Sequence, residues 1–170
     1  KRSAFDSVAG FDTSLETCED VDLCRKLKQA GYKVMSDSRL GNIHYGDPES
    51  LRRVFFGELW RGRDNLRVSL RPPRSVRTLV SALIPLFNIA AVAVVAVGLL
   101  SGSTVGKLAA LAAGSLVIIQ ISLRATRMTM RDRYRNWVPA WGVAAAYELG
   151  RAFAVISRIG HGKRRQDARA

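Results

Sequence analysis

Residues 79–100 read LVSALIPLFNIAAVAVVAVGLL. They lie inside a longer run, Thr78 to Gly106, that holds no Asp, Glu, Lys or Arg. A soluble helix keeps a wet, charged side. About 20 apolar residues in helix match the roughly 30 Å hydrocarbon core of a bilayer. The stretch therefore predicts a membrane-spanning helix over 79–100, with Pro85 and Asn88 as internal kink points. Leu108–Leu123 predicts a second, shorter span. Lys107 and Arg124 extend it by laying their aliphatic stems along lipid and their charges among headgroups. SGSTVG, residues 101–106, closes the two into a helical hairpin.

Charge orients the hairpin. The chain carries a formal net charge of +13 and a pI of about 10.8. Arg71, Arg74 and Arg77 precede the first span, and Arg124, Arg127, Arg131, Arg133 and Arg135 follow the second, while the loop between holds only Lys107. Basic flanks stay cytoplasmic, so both ends of the hairpin are expected on that side. Arginines beside apolar spans imply a membrane with anionic lipids as partner. No nucleic-acid motif accompanies them, and no nucleic acid is expected as a partner.

A third apolar stretch, Trp137–Ile159, contains Glu148 and Arg151, which can pair at i,i+3. Mid-span charges are costly and both flanks are basic. The expectation is a helix lying on the cytoplasmic surface, anchored by Trp137, Trp141 and Tyr147, with a true third span as the alternative.

Before the spans, Asp47-Pro48-Glu49 combines an N-cap, a proline at the first helical position and an acid in the first turn. Leu51, Val54, Phe55 and Leu59 form the stripe of the helix that follows, bordered by Arg52, Arg53, Arg61 and Arg63. Such a face fits either the membrane interface or a soluble core. Tyr32–Ser36 and Leu40–His44 read as two short strands joined around Asp37. Cys18 and Cys24, six residues apart, suit neither a disulfide nor a zinc site and are expected as reduced thiols.

One earlier segment carries chemistry. ETCEDVDLC, residues 16–24, places Glu19, Asp20 and Asp22 where a helix begins, and RKLKQAG follows, with Gly31 just past its end. Acids there stabilise the helix dipole, so they cap the helix or one of them accepts a proton. Ala9-Gly10-Phe11-Asp12-Thr13, then Glu19-Asp20, Leu23 to Leu27, Gly31-Tyr32 and His44 stand in one order. In that order they resemble the C-terminal half of the catalytic domain of family 2 glycosyltransferases, which have a GT-A fold. The likeness covers residues 4–44, and each piece alone is unspecific.

The resemblance implies an α/β fragment, the C-terminal half of a GT-A-like nucleotide-sugar transferase domain, followed by an α-helical membrane region. It implies inverting transfer from a nucleotide-sugar donor to a glycan or lipid-linked acceptor. Asp20 would be the base that takes the acceptor proton, and Glu19 would orient the acceptor or cap the helix. Gly10, Phe11 and Asp12 would lie by the acceptor. His44 would join a Mg2+ or Mn2+ ion that neutralises the leaving diphosphate. The family's upstream Asp-x-Asp is absent before Gly10. Since the first residue is Lys1, the chain reads as cut from a longer protein and inactive alone. Processive members carry Gln-x-x-Arg-Trp; here Glu58-Leu-Trp-Arg61-Gly62 keeps only Arg61, a candidate diphosphate or headgroup contact.

The expected organisation is thus a GT-A-like part over 1–46, an interface helix and basic linker over 47–77, the hairpin over 78–124, and a basic loop, amphipathic helix and basic tail over 125–170. The competing expectation is a non-catalytic membrane anchor or scaffold derived from such an enzyme.

Overall fold

The computed structural model describes residues 1–130, apart from 36, 38, 40 and 42–45, and residues 136–167; for residues 77 and 158–167 it describes the backbone alone. Among the described residues seven helices follow one another: α1 (Arg2–Ser7), α2 (Glu19–Gln29), α3 (Leu51–Arg61), α4 (Asn65–Ser69), α5 (Val76–Leu100), α6 (Thr104–Met130) and α7 (Trp137–Asp167).

There is no strand among the described residues, which corrects the expected α/β, GT-A-like fragment to an all-α fold. Tyr32–Met35, expected as a strand, runs without regular structure, and Met35 is 70% exposed. Most of the second expected strand, Leu40–His44, lies outside the described residues. A strand is stable only with a neighbour to share its ladder, and one short hairpin does not hold in water by itself. A helix closes its own backbone bonds, so the helical pattern of 19–29 survives where the strand pattern does not.

α2 starts and stops where its residues dictate. Glu19, Asp20 and Asp22 fill the first turn, Lys26 and Lys28 the last, and Gly31 turns the chain away at φ 83°. α3 starts later than Asp47-Pro48 suggests. Ser50 is its N-cap and accepts a hydrogen bond from the Arg53 amide, leaving residues 47–49 outside the helix.

Among the described residues, α5 and α6 are the two helices long and apolar enough to cross a membrane. Both exceed their expected bounds. Only 22% and 17% of their apolar windows are buried by the rest of the chain, so most of each apolar surface is left uncovered by it. They meet most closely at the tip of the hairpin. A Cβ on Gly98 would strike the Gly106 carbonyl and lie 3.0 Å from the Ala110 methyl, so only small residues permit this approach.

α7 packs along α3 and also touches α6 and α5. Ile121 and Ala125 of α6 form a buried cluster with Ala140 and Ala144 of α7. Small residues also let α7 close on α3. A Cβ on Gly150 would sit 2.6 Å from the Phe55 carbonyl oxygen, and one on Gly62 would sit 2.6 Å from the Ala154 methyl.

The expected Glu148–Arg151 pair does not form. Glu148 pairs with Arg124 at 2.6 Å and accepts from the Asn88 amide at 3.3 Å. Arg151 instead donates to Glu58 at 2.7 Å. Tyr147 lies between the two, with Arg124 4.2 Å and Arg151 5.1 Å from its ring centre. Glu148 and Arg151 of α7 are therefore satisfied across helices rather than along one.

Candidate functional site

The N-terminal 70 residues are held together by two polar clips. In the first, the buried Asp64 carboxylate accepts from the Glu16 and Thr17 amides at 2.8 and 3.3 Å, and the Asp64 amide donates back to the Thr17 hydroxyl at 3.2 Å. Arg63 adds an ion pair to Glu16 at 2.9 Å. This fixes the backbone just before α2, where Cys18 takes a left-handed conformation, φ 62°, as the helix N-cap.

The second clip centres on Asp22, whose side chain is fully buried. It accepts from Arg25 at 2.7 Å and from Arg71 at 2.8 Å. Arg71 spans onward to Asp12 at 2.8 Å. Burial alone would raise the Asp22 pKa, but the bonds from Arg25 and Arg71 outweigh it and hold the carboxyl below its ordinary range. Asp12 is held well below that range by hydrogen bonds from Ser14 and then from Arg71. Lys26 closes the assembly by donating to the Gly10 carbonyl at 2.5 Å.

Of the expected site residues, Glu19 and Asp20 stand exposed on the first turn of α2. One Asp20 oxygen accepts from the Val21 amide at 2.8 Å. Gly10 is buried with φ 60°, and Phe11 packs edge-on against Phe5 with ring centres 5.4 Å apart. Asp12 accepts from the Ser14 amide on one oxygen and from Arg71 on the other. Arg61 has an exposed side chain that donates to Glu58 at 2.9 Å, while its carbonyl lies 3.8 Å from the Cys18 sulfur. That contact brings the start of α2 against the end of α3. His44 lies outside the described residues.

The geometry thus sets Cys18, the residue before Glu19 and Asp20, against the Arg61 carbonyl, and ties Gly10 and Asp12 to α2 through Lys26 and Arg71. A groove of about 1060 Å3 runs on from this junction between α3 and α7, with Glu58, Arg61, Trp141 and Tyr147 among its walls. Sequence reading missed Asp64, Arg71 and the acceptor side of Glu58. All three act through partners 47 to 93 residues away, for which no local pattern exists.

Among the described residues no three His, Cys, Asp or Glu side chains converge as metal ligands would. Asp12 and Asp22 are committed to guanidinium groups, so they do not fit a Mg2+ or Mn2+ site. Both cysteines are free and partly buried. Burial pushes the Cys18 thiol pKa up. Compared with known proteins, the chain matches no protein-family model, no curated protein and no solved structure.

Proposed function

We propose that this chain is the membrane-embedded part of an inverting glycosyltransferase. In this reading it receives a glycan or lipid-linked acceptor at the cytoplasmic face of a membrane, and the sugar comes from a nucleotide-diphosphate donor. The observation that carries the reading is the exposed Glu19–Asp20 pair at the start of α2, braced against the end of α3 by Cys18 and Arg61. Sequence order supplies the rest: the same pair sits within the ordered motifs that resemble family 2 enzymes.

Asp20 takes the proton from the acceptor hydroxyl as that oxygen attacks the anomeric carbon and the bond to the diphosphate breaks. Proton transfer that lags behind bond formation needs only a carboxylate. Glu19, one residue earlier, orients the acceptor. Arg61 offers its remaining donors to anionic oxygens. A bound Mg2+ or Mn2+ would neutralise the leaving diphosphate. The described carboxylates do not form its site, so the ion and most donor contacts are assigned to polypeptide other than these residues.

In this reading α5 and α6 anchor the chain as spans, and the arginines on their flanks support a cytoplasmic side for α1–α4. The test of catalysis is transfer of labelled sugar from nucleotide-sugar donors in membranes containing the whole enzyme. Asp20→Asn should lower turnover by roughly 100-fold or more while donor binding persists. Turnover within a few-fold of the parent would remove Asp20 as base.

One observation favours the alternative, a non-catalytic anchor derived from such an enzyme: Asp12, expected beside the acceptor, is consumed by Arg71 and Ser14. Transfer that proceeds undiminished without this chain would decide for the anchor.

A further inference from the structure

α3 turns Val54, Phe55 and Leu59 inward and buries Glu58 against Arg151 of α7. Its opposite side carries Arg52, Phe56 and Trp60 at i, i+4 and i+8, and all three are exposed. On α7 the residues Leu149, Phe153 and Ile156, at i, i+4 and i+7, are exposed in the same way. The five apolar side chains are each between 49% and 52% exposed. Phe55 joins the two rows, its ring centre 5.2 Å from that of Phe56 and 5.8 Å from that of Phe153. The two helices thus share one apolar edge. Arg52 borders it, with its guanidinium 5.7 Å from the centre of the Phe56 ring.

The ties of α7 to the hairpin fix the level of this edge. The Glu148 carboxylate accepts from the Asn88 amide of α5, and the Trp141 indole donates to Ser122 of α6 at 3.2 Å. The two apolar windows run over Thr78–Leu100 and Thr104–Met130. Asn88 therefore lies ten residues, about 15 Å, inside the first, and Ser122 eight residues, about 12 Å, inside the second. Leu149 adjoins Glu148, and a Cβ on Gly150 would sit 2.6 Å from the Phe55 carbonyl oxygen. The edge thus stands beside the apolar windows and not above them. A hairpin in lipid carries the edge into the same leaflet.

We infer that this edge is a membrane-insertion surface, covered by the boundary between headgroups and acyl chains in the leaflet that holds the hairpin. Phe56, Trp60 and Phe153 enter the upper acyl chains. Arg52 lays its stem along them and sets its guanidinium among anionic headgroup phosphates. One side of α3 accordingly serves the protein interior and the other serves lipid. The inference rests on reading α5 and α6 as inserted helices, and it does not depend on Asp20 or on sugar transfer.

The test uses the whole chain in vesicles of phosphatidylglycerol and phosphatidylcholine. In a background carrying Cys18→Ser and Cys24→Ser, a nitroxide is attached singly through Phe56→Cys, Phe153→Cys, Val94→Cys on the hairpin or Lys28→Cys on α2. Power saturation compares oxygen, which concentrates in lipid, with a nickel chelate, which stays in water. The labels at Phe56 and Phe153 should lie about 5–10 Å below the headgroup phosphates. The label at Val94 should lie deeper, and the label at Lys28 in water. Without labels, lipids brominated near the top of the acyl chain should quench Trp60. Trp60→Phe should then remove about a third or more of the quenched emission, since the chain has three tryptophans.

Nickel access at Phe56 and Phe153 equal to that at Lys28, with Val94 in lipid, overturns the surface and leaves the hairpin standing. A label at Val94 in water overturns both. Labels at Phe56 and Phe153 shielded from both reagents, with spin–spin broadening that vanishes on dilution by unlabelled chain, give the edge to a second copy and overturn the lipid assignment. Quenched emission unchanged by Trp60→Phe overturns the surface without recourse to a labelled variant.

Discussion

Asp22→Asn isolates what the buried carboxylate does for the site. The substitution keeps shape and removes one negative charge from between two guanidinium groups at 2.7 and 2.8 Å. Loss of one member of a buried ion pair costs about 3–5 kcal/mol. Two features reduce that here. Arg71 retains Asp12 at 2.8 Å, and the Arg25 side chain, 18% exposed, can recruit water. A net cost of about 2–3 kcal/mol remains, charged to the docking of α2 rather than to the helical spans. If α2 then opens locally, its amides should exchange hydrogen roughly 30- to 150-fold faster at pH 7, with α5 and α6 unaffected. The pH dependence has a definite sign. A carboxyl held below its ordinary range stabilises the fold fully above the unfolded value, about 3.9, and loses that contribution as pH falls through the folded value. The gap between parent and variant should therefore hold from neutrality to about pH 5 and close in stronger acid, where both side chains are neutral. Exchange of α2 within threefold of the parent at pH 7, or a gap that persists in acid, would refute the assigned role.

Three further outcomes follow from other parts of the structure. Glu58→Ala leaves Arg151 facing no acid and should cost about 3 kcal/mol or more, read as faster tryptic cleavage at Arg61 and Arg63 as α3 detaches from α7. Gly98→Val drives a side chain into the Gly106 carbonyl and should splay the hairpin tip at a cost of about 1–3 kcal/mol, seen as a lower aggregation temperature in detergent; an unchanged temperature would count against the close approach. In the proposed orientation Cys18 and Cys24, the only cysteines, should react with a membrane-impermeant maleimide only once the cytoplasmic side is opened, and the Cys18 rate should still be climbing above pH 9 because burial raises its thiol pKa.

Helices that carry their own signals were legible in the sequence. The charge-free run of 78–106 marks α5, and the acids of 19–22 with Gly31 bracket α2. Each signal acts within a turn or two of the residue that sends it. α1 and α4, at six and five residues, are too short to show a period and were not foreseen. The strand expected from Tyr32 onward failed for the opposite reason. A strand pattern states only that a residue would suit a sheet, and the pairing that makes it one must come from elsewhere in the chain. Asp47-Pro48-Glu49 misled because three good helix-start residues lost to Ser50, whose hydroxyl actually reaches the Arg53 amide.

The site was half legible, and the division follows the same logic. Glu19 and Asp20 announce themselves because helix N-termini favour acids, yet that preference cannot tell a cap from a base. What separates Asp20 from Asp22, two residues on, is not sequence but company. Asp22 faces inward to Arg25 and Arg71 and is consumed by them, whereas Asp20 faces out with only the Val21 amide on one oxygen. The same sorting divides Glu148 from Arg151. Their spacing suggests a local pair, but Arg124 and Glu58 offer partners across the helix packing, so α7 becomes a tie between the spans and α3. Through Glu58 that tie reaches Arg61, and through the Arg61 carbonyl it reaches Cys18 at the threshold of α2. The start of α2 is thus linked to the apolar helices through α3, and breaking the tie at Glu58 should free α3 from α7 while the Asp64 and Arg71 clips still hold α2.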